Sequence, residues 1–154
     1  MKRAAFVLAV IVIVFAGAQL VRPGRANPAI EPGHTIQARV GTSSELVAVL
    51  DRACSDCHSS ATRWPWYTQI APASWLMTYA VTEGRRAVNF SEWAGYPPEQ
   101  QRQLLLESCK DASDGKMPGA YTVLHPEMKL SARDIETICT AARDVTAHAA
   151  GFPQ

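Results

Sequence analysis

Two cysteines two residues apart, followed at once by a histidine, are the residues of this sequence best spaced to do chemistry: Cys54-Ser55-Asp56-Cys57-His58. Two thiols at that spacing can add to the two vinyl groups on one edge of a haem, and the adjoining imidazole then reaches the iron from one face. The pattern is the mark of a c-type haem attachment site. It implies one haem c per chain, bound through Cys54 and Cys57, with His58 as proximal iron ligand. A thiol–disulfide active site of thioredoxin type is the chemical rival, but that CxxC should follow a β-strand. Here Leu46, Val49, Leu50 and Ala53 recur at i, i+3, i+4 and i+7, one face of a helix. Thr42 with Glu45 three residues on is a capping-box pattern that would start it. A zinc site would need about two more Cys or His ligands, and Cys109 and Cys139 stand singly, 30 residues apart.

Iron held by His58 needs a sixth ligand, a water or an open position. A methionine thioether there raises the reduction potential. Met117 fits best, because Asp114-Gly115-Lys116-Met117-Pro118-Gly119 is a loop, from which a side chain can be aimed at a haem face, and Pro118 stiffens it. His125 is the runner-up; bis-histidine ligation would lower the potential. Met77 sits at apolar helical spacing and reads as core filler, and Met128 is less well placed than Met117. After the attachment motif, Arg63-Trp64-Pro65-Trp66-Tyr67 cannot be regular helix, since Pro65 restricts Trp64 and lacks an N–H. Trp64, Trp66 and Tyr67 could cover a porphyrin edge, with Arg63 on a propionate; the same run also reads as ordinary aromatic core.

The elements that must position these residues are helices. After the helix before Cys54, a second is expected over Ala73 to Val88 and a third from Pro97-Pro98-Glu99, buried by Leu104, Leu105 and Leu106. A last one runs from Ser131, with Asp134 three residues on, to about Ala147. No alternating strand of convincing length occurs, so the fold class is all-α. Cys109 and Cys139 fall on apolar helical faces of the last two; a disulfide between them would stabilise by roughly 3 to 4 kcal/mol on the chain-entropy model, and two buried free thiols are the alternative.

The 154 residues carry a formal net charge of +1, which gives no sign of nucleic acid. Lys2-Arg3 precede an apolar stretch from Ala4 to Val21 broken only by Gln19. Residues 1–21 therefore read as a signal-anchor or transmembrane helix, placing the rest of the chain on the periplasmic side of a bacterial inner membrane. Ala16-Gly17-Ala18 has the small-x-small form of a cleavage site, and cutting near Ala18 would instead release a soluble periplasmic protein. Residues 22–41, with Pro23, Pro28 and Pro32, read as an extended linker, 42–148 as the haem-binding domain and 149–154 as a tail. A domain of this size benefits from a cofactor that supplements its core.

Taken together, Cys54 to His58, Arg63 to Tyr67, Ser74-Trp75-Leu76, Glu83-Gly84-Arg85, Asn89 to Trp93, Gly115 to Pro118 and His125-Pro126-Glu127 resemble the bacterial haem-binding domain family of c-type cytochromes. The resemblance covers about residues 45 to 145. It implies a cytochrome c-like helical domain wrapped around one covalent haem behind an N-terminal apolar helix. Family members often have a histidine or aspartate just before Val-x-Glu-Gly-Arg, where this chain has Tyr79 and Ala80. The function expected is single-electron transfer with unidentified redox partner proteins. A haem-based sensor or small-ligand-binding module with a labile sixth ligand is the alternative. No catalytic constellation apart from the haem site points to an enzyme.

Overall fold

The computed structural model describes residues 1–39 and 43–150, with side chains through residue 144. The described residues form seven α-helices and five short 3-10 turns, and no strand occurs among them. The helices are α1 (Lys2–Ala18), α2 (Ile36–Arg39), α3 (Ser44–Ala53), α4 (Ser55–His58), α5 (Ala73–Ala87), α6 (Pro98–Ser113) and α7 (Ala132–Ala150). The all-α expectation holds.

Helix α3 buries Leu46, Val49, Leu50 and Ala53, the face its spacing predicts. Its start is one residue later than expected. Thr42 lies outside the described residues, and Ser43 is the cap, its hydroxyl accepting the Leu46 N–H at 3.2 Å. Glu45 turns outward to Arg133 instead, at 2.6 Å. Cys54, with φ −124°, interrupts the helix before the single turn of α4.

Helices α6 and α7 pack against each other and are joined by a Cys109–Cys139 disulfide, with Cα atoms 4.8 Å apart. Leu105 is buried in that contact, whereas Leu106 faces solvent. Ser131 caps α7: its hydroxyl accepts the Asp134 N–H, and the Asp134 carboxylate accepts the Ser131 N–H at 2.7 Å. Arg52 of α3 reaches the same carboxylate at 2.9 Å, tying α3 to the start of α7.

The N-terminal part differs from expectation in two ways. The helix expected over residues 1–21 stops at Ala18, because Gln19 turns its side chain onto the body: its Oε1 accepts the Ala71 N–H at 3.0 Å. Seventeen residues rise about 26 Å at 1.5 Å each, less than a bilayer core of about 30 Å, and no helix among the described residues is long and apolar enough to cross a membrane. The helix is nonetheless apolar all round, with Phe6, Leu8, Ile11, Ile13 and Phe15 exposed.

Of residues 22–41, expected as an extended linker, 40 and 41 lie outside the described residues and 22–39 are strapped to the body. Arg25 donates to the Thr68 carbonyl at 3.0 Å and Asn27 to the Thr62 carbonyl at 2.8 Å. Ile36 of α2 is wholly buried in a core that also holds Leu50, Phe90, Trp93, Leu105 and Ile138. Polar anchors spaced this way have no periodicity, so the segment looks like a linker in sequence.

Candidate functional site

Helix α4 is held by a close approach of α5. A Cβ placed on Gly84 would lie 2.5 Å from the Cys57 carbonyl oxygen and 2.9 Å from its carbon. Only a residue without a side chain lets the two backbones meet there. From the same turn Arg85 donates to the Ser59 carbonyl (2.8 Å), the Thr62 hydroxyl (2.9 Å), the Ala26 carbonyl (2.9 Å) and the Asn27 side chain (2.9 Å). One guanidinium thus ties the residues after His58 to the N-terminal strap. Hydrogen bonds from a charged donor contribute about 1.5 to 3 kcal/mol each at best, less where half in water. Arg85→Ala is expected to lower stability by about 2 kcal/mol and to speed proteolytic cutting between Pro23 and Pro32. Cutting no faster than in the unmodified protein would show that the strap holds without the arginine.

Cys54, Cys57 and His58 line a cavity with about 150 Å³ open to the centre of a water molecule. The lining also includes α6 (Leu104, Ser108, Ala112), then Met117, Pro118 and Tyr121, and Met128, Leu130 and Ile138. The lining is mainly apolar, and its acidic members are Glu107 and Asp111. Cys54 and Cys57 are free thiols. Burial pushes the Cys54 thiol up to about 12, with Cys57 adding to the rise and Arg52 opposing it. Cys57 is raised too, by burial and then by Asp56, against the pull of Arg85. Both thiols are therefore protonated at neutral pH, unlike the low-pKa cysteine of a thiol oxidoreductase.

The His58 ring is kept neutral: burial lowers its pKa, and the Val88 and Gly84 carbonyls oppose that only in part. Its Nδ1 lies 3.3 Å from the Val88 carbonyl oxygen. With the proton on Nδ1 donated there, Nε2 keeps its lone pair for a metal, and the ring orientation is set. Phe90 packs beside it at 5.9 Å between ring centroids.

The structure brings Met117 to this cavity and leaves its side chain about half exposed, at 49%. Met128, ranked behind Met117 on the sequence, also lines it and is 2% exposed. His125 is not among the lining residues. Its Nε2 bonds the Tyr67 hydroxyl and its Nδ1 lies 2.9 Å from Glu127.

The aromatic run after the motif also sits elsewhere. Arg63 is taken by the buried Asp56, whose Oδ1 accepts its Nε–H at 2.9 Å. Trp64 donates its indole N–H to Asn27 at 3.2 Å, and Trp66 faces solvent. Tyr67 is one hydroxyl removed from the cavity, 3.3 Å from the Tyr121 hydroxyl. Tyr121 itself lines the cavity and stacks on His125 at 4.3 Å; burial, and then the bond to Tyr67, raise its pKa. The physical reason is charge: Asp56 is buried and needs Arg63 more than a solvent-facing carboxylate would. Tyr121 carries no expected role in the sequence, and Gly84 and Arg85 only that of a motif, although a glycine deep in a helical pattern is a recognised sign of close packing.

Among the described residues no group of three or more His, Cys, Asp or Glu side chains could hold a bare metal ion. Two thiols, a neutral imidazole and two thioethers around an apolar cavity instead suit a large flat ligand carrying its own metal. A family model described as "Haem-binding domain" matches residues 13–144. No curated protein and no solved structure matches the chain.

Proposed function

Because the chain belongs to the haem-binding domain family, we propose that it is a monohaem c-type cytochrome, one that carries single electrons on the periplasmic side of a bacterial inner membrane. The observation that carries the reading is the meeting of both thiols, His58 and Met117 on one apolar cavity. Cys54 and Cys57 hold the haem covalently, His58 is the proximal ligand and Met117 the distal one. Bound there, the haem supplies the one-electron couple. The protein fixes the His58 tautomer through Val88, excludes water with Phe90, Leu104 and Ile138, and brings a thioether to the same cavity. Both ring nitrogens of His125 already have partners, which favours Met117.

The apolar helix α1 serves as membrane tether, and its exposed side chains around the whole circumference support that role. Redox partners are other proteins meeting the cavity mouth. The exposure of Met117 favours one second reading, a ligand-binding module whose sixth position is labile. A six-coordinate iron that ignores carbon monoxide rules that reading out.

Haem staining on a denaturing gel tests the covalent bond and is expected to vanish in a Cys54→Ala, Cys57→Ala double variant. In the ferric protein the sulfur-to-iron charge-transfer band is expected to disappear in Met117→Ala and to persist in His125→Ala and Met128→Leu. Persistence in Met117→Ala refutes the distal assignment, and an unstained wild-type band refutes attachment.

A further inference from the structure

The junction between α1 and the body is short and doubly bonded. Gln19 pairs with Ala71 through its Oε1 (3.0 Å) and Nε2 (3.4 Å), and the Trp75 indole N–H donates to the Val21 carbonyl at 2.8 Å. No free spacer therefore separates the exposed apolar surface of α1 from the start of α5. At that start α5 carries an apolar stripe turned away from the core. Leu76 and Tyr79 are 67% and 68% exposed at i and i+3, with Trp75 beside them and Ile70 just before the helix. The opposite face of α5 is the one that packs, through Ser74, Met77, Val81 and Gly84. Leu20 and Val21, also exposed, connect the stripe to α1.

We infer that this stripe is a second membrane contact: Ile70, Trp75, Leu76 and Tyr79 seat the domain on the phospholipid surface that α1 enters. The inference rests on the proposed tether role of α1. Three observations select a lipid surface as the occupant. The stripe is continuous with the apolar segment that needs an apolar phase. Trp75 and Tyr79 are amphipathic aromatics, the residue types enriched at the level of lipid headgroups. Arg22, exposed and next to Val21, donates its Nε–H to the Gln19 carbonyl at 3.2 Å and supplies a guanidinium of the kind that binds phosphate.

Seating fixes the orientation of the cavity. Ala87, which lines it at the end of α5, is twelve residues further along the helix than Trp75, about 18 Å at 1.5 Å per residue. The cavity is thus held at a set distance from the stripe, where a partner protein approaches it.

The full-length haem-loaded protein, reconstituted into phosphatidylcholine vesicles containing lipids brominated near the headgroup end of the acyl chain, tests this. Bromine is expected to quench a component of the tryptophan emission that is absent in Trp75→Phe. In a Leu76→Ser, Tyr79→Ser double variant the quenching is expected to fall while the haem spectrum stays unchanged. A protein that floats with the vesicles yet shows no Trp75-dependent quenching overturns the inference and leaves the tether intact. A protein that does not float with the vesicles overturns both.

Discussion

Gly84→Ala is expected to destabilise the domain by about 3 kcal/mol or more and to cut the yield of haem-loaded protein severalfold. Two effects oppose each other at this position. In a solvated helix interior, alanine would be better than glycine by about 1 kcal/mol. Here the added methyl would sit 2.5 Å from a backbone oxygen of Cys57 and 3.1 Å from that residue's Cβ. No rotamer change relieves a clash with backbone, so α4 and α5 must separate. That motion moves Cys57 and His58 together, and with them the geometry of attachment. The measurement is chemical denaturation together with haem stain per milligram of protein. Gly95→Ala is the control, since nothing lies within 4 Å of a Cβ there. A Gly84→Ala protein as stable and as fully stained as the control would disprove the close approach.

Removing the disulfide by Cys109→Ala with Cys139→Ala is expected to cost roughly 3 to 4 kcal/mol, the loop-closure entropy of a cross-link at this separation. For a domain of this size that lowers the melting temperature by roughly 10 to 20 °C. The bond joins the two helices that form one wall of the cavity, through Ser108 and Ala112 on one side and Ile138 on the other. Differential scanning calorimetry of the oxidised haem protein reads the effect. A shift of only a few degrees would mean that the contact between α6 and α7 restricts the chain by itself.

What could be read in the sequence was what is local. Cys54, Cys57 and His58 lie within about one turn, so their spacing alone carries the expectation made of them. The Ser131 and Asp134 cap, the apolar face of α3 and Met117 in its loop are also short-range patterns, and the structure places each where the pattern expects. The Cys109–Cys139 bond could be reached by counting, once Cys54 and Cys57 were assigned to the expected haem.

What could not be read depends on distant partners. Arg63 looked free for a propionate because nothing in its own segment shows that Asp56 is buried. Residues 22–39 looked like a spacer because Arg25 and Asn27 act through single bonds to carbonyls more than thirty residues away. Met128 reaches the cavity only through the turn at Pro126–Met128, whose packing no periodicity encodes.

The order of assembly follows from how the cavity is built. Its walls are drawn from segments between Leu50 and Ile138, so it closes only after nearly the whole domain has emerged. Once it is closed, the Cys54 thiol is held near 12 and little thiolate exists. In an open chain both thiols regain their ordinary acidity and their access. If the proposed covalent attachment is made, the unfolded polypeptide would therefore be its better substrate, and folding would work as a one-way door that shuts behind the cofactor.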